Sequence, residues 1–340
     1  MMKAFSTISR RAMLTAAAVL LASTALPTQA SAQEEWRVTS AAQPGLLRDH
    51  HVRVTEAIAR NSGGALKTEF QFVPSEQDAL QQVVRGRLQV GILSTIALAS
   101  VIPEAAVFVT PYLWASPAEA DWVIDNHARA PLAALADAKG LVLIGLTETG
   151  WTDVVGKSPF LAPAEVKGRK IRVSPAPASQ FFWSSLGANG VQLPLGELFP
   201  GLEQGLVEGA DLPFVYYITT PAAKSAPHYT LTRHTHIFNG VVANKAAWEK
   251  LTAAQQEAIM KGMPAYPELR KEVRDAEQPL MAKFESEGGK VHRLTDAQRK
   301  AWYDIVAPGQ RAYVEKMGPG AVQLFETLQK GRKAYSERRQ

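Results

Sequence analysis

Lys170-Ile171-Arg172-Val173 alternates charged and apolar residues with the two-residue period of a β-strand. Lys170 and Arg172 therefore share one face, opposite Arg169, Ile171 and Val173. An arginine at a strand end can point into a cleft, where its planar fork matches a carboxylate in two parallel charge-assisted bonds. The residues alone leave a second reading open, a surface arginine paired with a nearby acid. His234 and His236 are the other suggestive pair. At i, i+2 on a strand they share a face and could chelate a metal, or form a polar edge or a hydrogen-bonded structural pair. His50 and His51 lie on a helical pattern and point to different faces. Gly156-Lys157-Ser158 looks like the end of a phosphate-binding loop, but that motif needs Gly at position 151, which is Trp. No G-x-G-x-x-G follows a strand pattern, and neither G-x-S-x-G nor H-E-x-x-H occurs. The chain has no cysteine, which excludes thiol catalysis, disulfides and cysteine-ligated metal. Carboxylates are plentiful, yet no pair stands out for acid–base work.

The elements that must hold these residues read as alternating strands and helices. Strand patterns cover 36–39, 66–72, 88–93, 141–146, 169–173 and 191–193. The run 141–146 is continuously apolar, as a strand buried on both faces would be. Helices are predicted over about 45–60, from the Ser75 cap through Arg85, near 178–186 and over 198–204. Ser116-Pro117-Ala118-Glu119 is a complete helix start, and Pro131 breaks or kinks that helix. Thr252–Gln255 and Thr295–Gln298 are capping boxes. The first opens a helical stretch, interrupted at Pro264 and Pro267, that resumes as far as Glu287. Alternation of this kind argues α/β architecture, and without a clear linker two units would share crossing segments.

Residues 1–32 read as an export leader. Lys3, Arg10 and Arg11 precede an apolar run near 16–22, then Pro27 and the cleavage pattern Ala30-Ser31-Ala32. Ser9-Arg10-Arg11 also fits a twin-arginine signal. Cleavage near Ala32 would start the mature chain near Gln33, in a bacterial periplasm. No later stretch reaches 18 uninterrupted apolar residues.

With 340 residues, 46% hydrophobic and 20% charged, the chain has ordinary globular composition and length for two compact units. The net charge of +5 is inflated by the leader, which holds three basic residues and no acid. The remainder has 34 basic against 32 acidic residues and no basic run, so nothing favours nucleic acid.

The segment 165–213 carries a family likeness. Lys167-Gly168-Arg169-Lys170-Ile171-Arg172-Val173 is followed by Leu186-Gly187-Ala188, Pro194, Glu197, Leu202, Gln204-Gly205 and Glu208-Gly209. This resembles the DctP family, the solute-binding proteins of tripartite ATP-independent periplasmic (TRAP) transporters. The likeness extends to 80–92, to Val101-Ile102-Pro103-Glu104 with Pro111-Tyr112-Leu113, and to 231–251, with Trp248-Glu249-Lys250-Leu251. It covers most of the chain beyond the leader, in the right order. The resemblance implies a two-lobed α/β periplasmic-binding-protein fold, type II-like, each lobe a mixed sheet flanked by helices, with a long helical segment shared. It puts 33–149 plus about 240–280 in one lobe, 150–239 plus about 281–325 in the other, and 326–340 in a C-terminal helical tail.

The resemblance also implies a function: capture of an organic acid between the lobes and delivery to small and large integral membrane subunits, with no catalysis, cofactor or metal. It makes Arg172 the carboxylate clamp. Many relatives carry a second Arg about 21 residues earlier, where Trp151 stands, and an Asn where this chain has Leu212 after Asp211. Fewer cations and more apolar surface argue for a monocarboxylate with an apolar, aromatic or hydroxylated body. Trp151, Phe182, Phe214 and Tyr217 are candidates for the pocket wall, with Asp211, Leu212, Leu195 and Asn239 nearby; most aromatics at such spacing are core. A binding component of an ABC, tripartite tricarboxylate or sensing system is the alternative, and a periplasmic enzyme a remoter one.

Overall fold

Two long antiparallel strands, β4 (Leu141–Gly156) and β8 (His228–Asn244), run side by side through the middle of the molecule. The computed structural model describes residues 33–338, so the leader read at 1–32 lies outside the described residues. To one side lie β1 (Glu34–Ser40), β2 (Leu66–Phe72) and β3 (Val90–Ser94), mutually parallel. To the other lie β5 (Lys170–Val173), β6 (Asn189–Gln192) and β7 (Gly209–Pro213), also parallel to one another. β9 (Lys290–His292) pairs with the start of β8. The order β2-β1-β3-β8-β4-β7-β5-β6 makes one mixed α/β sheet.

Register shows how this sheet divides. Ser94, the last residue of β3, stands against Asn239 of β8, which stands against Thr147 of β4. Pro213, the last residue of β7, stands against Thr152 of β4, which faces Thr235 of β8. The carboxyl ends of the strands of both half-sheets thus stop on either side of a short crossing, residues 147–152 and 235–239. Open α/β sheets bind ligands at the carboxyl ends of their strands, where the order reverses. The crossing is irregular: β4 shifts register between Glu148 and Gly150, and Gly150 has φ 110°, a conformation reserved for glycine.

The first half-sheet is buried between two apolar clusters, because alternate residues of each strand go to opposite faces. Val90 and Ile92 join Trp36, Ile58 and Trp248, while Leu93 joins Leu80, Phe108 and Ile124 on the other face. The second half-sheet is likewise covered by Leu198, Leu202 and Tyr229 on one face and Phe160, Phe182 and Trp302 on the other. The long helix Tyr266–Ser286 spans both halves. Its Leu269 enters the Trp36 cluster, and its Met281 and Phe284 enter the Tyr229 cluster.

Most local expectations match. Ser75, Ser116, Thr252 and Thr295 each cap a helix by accepting the predicted backbone N–H. Three differences have physical reasons. The kink assigned to Pro131 lies just upstream, as a widened π-turn at Ile124–Ala128, because Pro131 has no N–H to give the carbonyl of His127. The strand read at 141–146 continues for ten more residues, through a polar stretch paired with β8. The last helix, Pro319–Glu337, packs Ala321, Leu324 and Leu328 against Phe108 and Ile124. The division that gave 281–325 to the second lobe and separated a tail at 326 therefore cuts through one helix, which packs on the first half-sheet.

Candidate functional site

Arg172 is the penultimate residue of β5, at the edge of the crossing. Ile171 and Val173 turn into the Phe160 and Trp183 cluster, so Arg172 projects from the opposite face. It is 4% exposed. Its Nε donates to the carbonyl of Leu193 at 2.9 Å. Its two terminal nitrogens have no hydrogen-bond partner, and no carboxylate oxygen lies within ion-pair distance, among the described residues. Burial pulls its pKa down and the charge of Asp211 opposes that. Asp211 is committed elsewhere. Its Oδ1 accepts from Ser179 Oγ and Trp183 Nε1, both at 2.9 Å, and its Oδ2 lies 3.8 Å from His234 Nε2. Burial works to raise the Asp211 pKa, but His234 and Arg172 outweigh it and hold the carboxyl below its usual range. A buried guanidinium without an acid costs several kcal/mol of desolvation that an arriving anion can offset, on the order of the 3–5 kcal/mol seen when buried pairs are broken.

A second group occupies the crossing itself. Trp151 stacks on His236, and His236 Nε2 lies 2.8 Å from Glu148 Oε1. Glu148 also accepts from Nε and Nη2 of Arg274 on the long helix, while Arg274 grips Asp121 at 2.7 and 3.0 Å. Glu148, Trp151, Phe214, Val273, Arg274 and Glu277 line a crevice beside this network. A neighbouring crevice runs between residues 43–47, after β1, and residues 215–219, after β7, so it joins the two half-sheets. Asn239 Oδ1 accepts from Thr149 Oγ1 at 3.0 Å, leaving its amide nitrogen without a partner among the described residues.

The structure brings Arg172, Asp211, Phe182 and His234 into one neighbourhood, with Phe182 stacked on His234 at 3.8 Å between centroids. Trp151, Phe214 and Asn239 stand at the crossing or its crevice. Leu195 begins the helix Leu195–Glu203 and is exposed. Two candidates pack elsewhere. The Leu212 side chain lies in the core of the second half-sheet. Tyr217 is fully buried there between Phe214, Tyr229 and Phe284, its hydroxyl donating to Ala226 O, because its ring completes an aromatic core. His234 and His236 go to different acids, Asp211 and Glu148, and no group of three possible metal ligands exists among the described residues. His234 Nδ1 lies 2.9 Å from Thr232 Oγ1, whereas neither ring nitrogen of His236 has a hydrogen-bond partner among the described residues.

Residues 57–316 match the family DctP, described as bacterial extracellular solute-binding protein, family 7. The chain belongs to this family. Among similar proteins, the 2,3-diketo-L-gulonate-binding periplasmic protein of Escherichia coli is 26% identical, over 81% of this chain and 85% of its own length. The ectoine-binding periplasmic protein of Halomonas elongata is 22% identical, over 90% and 92%. A TRAP periplasmic solute-binding protein from Roseobacter denitrificans, solved with bound β-D-glucuronate, superposes with a TM-score of 0.80. It is 23% identical, over 87% of this chain and 99% of its own. The DctP family thus accounts for the two half-sheets meeting at a crossing. No helix among the described residues is long and apolar enough to cross a membrane.

Sequence reasoning passed over Glu76 and Ser94, which are hydrogen-bonded to each other at the edge of the same crossing. Position was the missing signal. Ser94 ends a strand whose carboxyl end faces the cleft, and only the register of β3 against β8 reveals that.

Proposed function

We propose that this DctP-family chain is a periplasmic receptor that captures an organic acid and hands it unchanged to TRAP membrane subunits. The leader at 1–32 would be removed near Ala32 on export. The observation that carries the reading is the buried guanidinium of Arg172 at the carboxyl end of β5, with no carboxylate within ion-pair distance among the described residues. Relatives named for a diketo-acid and for ectoine, and a neighbour holding glucuronate, are consistent with a carboxylate as its partner. One lobe is built on β1–β3 and carries the final helix; the other is built on β5–β7. β4, β8 and the Tyr266–Ser286 helix join them, and ligand contacting both lobes favours the closed arrangement. No bond is made or broken. With Trp151 where a second arginine often stands, the ligand is a monocarboxylate with an apolar, aromatic or hydroxylated body.

Mass spectrometry of small molecules released from purified protein, with a thermal-shift panel of carboxylates, identifies the ligand. A ligand at a hundredfold excess over Kd stabilises by about 2.7 kcal/mol, which such a panel resolves. Calorimetric titration then compares Arg172→Ala with the parent. Loss of the clamp costs about 3–5 kcal/mol, roughly a 10²- to 10³-fold weaker Kd, with the fold retained. Unchanged affinity in Arg172→Ala, or a panel in which no carboxylate stabilises, overturns the reading.

A further inference from the structure

Glu76 opens the helix Glu76–Val84, yet its carboxylate is turned to β3. Oε1 accepts the Ser94 N–H at 3.0 Å and Oε2 accepts the Ser94 hydroxyl at 2.5 Å. Ser94 stands against Asn239 at the brink of the crossing, on the first half-sheet. On the second half-sheet, Tyr216 in the short helix Phe214–Tyr217 has its phenol pKa pushed up, first by burial and then by the Glu76 charge. No cation lies within ion-pair distance of Glu76 among the described residues. Burial raises the Glu76 pKa, and the two Ser94 bonds oppose that. Each carboxylate oxygen can accept a further donor. Four buried threonine hydroxyls have no hydrogen-bond partner among the described residues: Thr39 on β1, Thr95 just after β3, and Thr147 and Thr152 on β4. The crossing is therefore flanked by two ionisable side chains with no ion-pair partner among the described residues, Arg172 from one half-sheet and Glu76 from the other.

We infer that Glu76 is the specificity-determining residue of this cleft: it takes a hydrogen-bond-donating end of the ligand, hydroxyl or cationic nitrogen, while Arg172 takes the single carboxylate. The inference rests on the reading of Arg172 as the carboxylate clamp. A second carboxylate at the far end would meet Glu76 as a like charge in a poorly solvated site, with no second cation to offset it. Dicarboxylates are thereby disfavoured, and so are acids whose far end carries no donor.

The test is a calorimetric panel on the full protein. It uses D-glucuronate (hydroxyl donors), ectoine (a cationic amidine donor), benzoate (no donor) and succinate (a second carboxylate). The parent binds glucuronate or ectoine at least tenfold more tightly than benzoate or succinate, and whichever of the first two is tighter names the donor. In Glu76→Gln that ligand weakens about 10- to 100-fold, the loss of one charge-assisted bond, and the disadvantage of succinate shrinks. Should Glu76→Gln melt early, Glu76→Asp keeps the charge and must keep the discrimination against succinate. A parent that prefers succinate or benzoate, binds none of the four, or is indifferent to Glu76→Gln overturns the inference. Arg172→Ala separates the two claims. If it abolishes binding while Glu76→Gln changes nothing, the clamp stands and the role of Glu76 fails. If Arg172→Ala binds normally, the clamp itself has failed.

Discussion

Trp151 and His236 stand directly opposite each other on β4 and β8, their rings 10° from parallel and 4.6 Å apart between centroids. The pair turns the crossing into a flat aromatic wall, backed by Glu148 and Arg274. Behind the indole the charges are matched: Arg274 by Asp121 and Glu148, and His236 facing Glu148. The cations behind the indole are thus paired, whereas Arg172 has no ion-pair partner among the described residues.

Trp151→Arg tests this arrangement. A guanidinium can stack on the His236 ring as the indole does. It adds a charge to a crevice whose cations are neutralised. Succinate affinity is expected to rise about tenfold, roughly 1.4 kcal/mol, relative to that of a monocarboxylate. Paired titrations of the two acids read the ratio. An unchanged ratio means that position 151 does not face the ligand.

His51 supplies a pH dependence with a definite sign. It is 4% exposed, and its Nδ1 lies 2.8 Å from the hydroxyl of Ser40. Burial, then the neighbouring His50, lower its pKa from 6.5 to about 3. The folded state thus refuses a proton that the unfolded chain accepts. Its stabilising contribution is intact above pH 6.5 and declines as pH falls from 6.5 towards 3. By pH 5 the loss is about 2 kcal/mol. Urea unfolding at pH 7, 6 and 5 measures it. The stability difference between the parent and His51→Asn, which can still bond Ser40, should move by that amount between pH 7 and 5. Parallel pH profiles for the two proteins would show that His51 titrates freely when folded.

These relationships differ in how far the sequence announces them. The helix starts at Ser116, Thr252 and Thr295 are local: the cap and the group that answers it lie three residues apart. The orientation of Arg172 was legible because a short strand alternates strictly, with Ile171 and Val173 marking the buried face. β8 was not legible as a 17-residue strand. Thr232, His234, His236 and Asn239 interrupt any apolar pattern, and all four are buried. Three of them face groups elsewhere in the chain, His234 near Asp211, His236 near Glu148 and Asn239 bonded to Thr149, which no window on 228–244 contains. Glu76 was obscured for the opposite reason. An acid in the first turn of a helix has a sufficient local cause in the helix dipole, so nothing in the sequence asks for another. Leu212 and Tyr217 were misplaced because cleft wall and core use the same apolar residue types, and only packing tells them apart.

Arg274 should be where the crossing is most fragile. Glu148 is 1% exposed and accepts two hydrogen bonds from Arg274 while facing His236. Burial works to raise its pKa, but His236 and Arg274 outweigh it and hold the carboxyl below the usual range. Its contribution is therefore present above the ordinary carboxylate value and disappears as pH falls through the depressed one. Arg274→Met keeps much of the aliphatic stem on the helix but strands Glu148, and Asp121 loses two bonds. Removing one partner of a buried pair costs about 3–5 kcal/mol, mostly because the survivor stays charged and poorly solvated. Adding Glu148→Gln to Arg274→Met removes that survivor's charge. The double variant should therefore be more stable at pH 7 than Arg274→Met alone, recovering on the order of half of the loss, a coupling within the range seen for contacting residues. Denaturant unfolding of the parent, both single variants and the double variant closes the cycle. Additive losses would mean that Glu148 is held by His236 alone, and that the long helix is fastened to the crossing by packing rather than by charge.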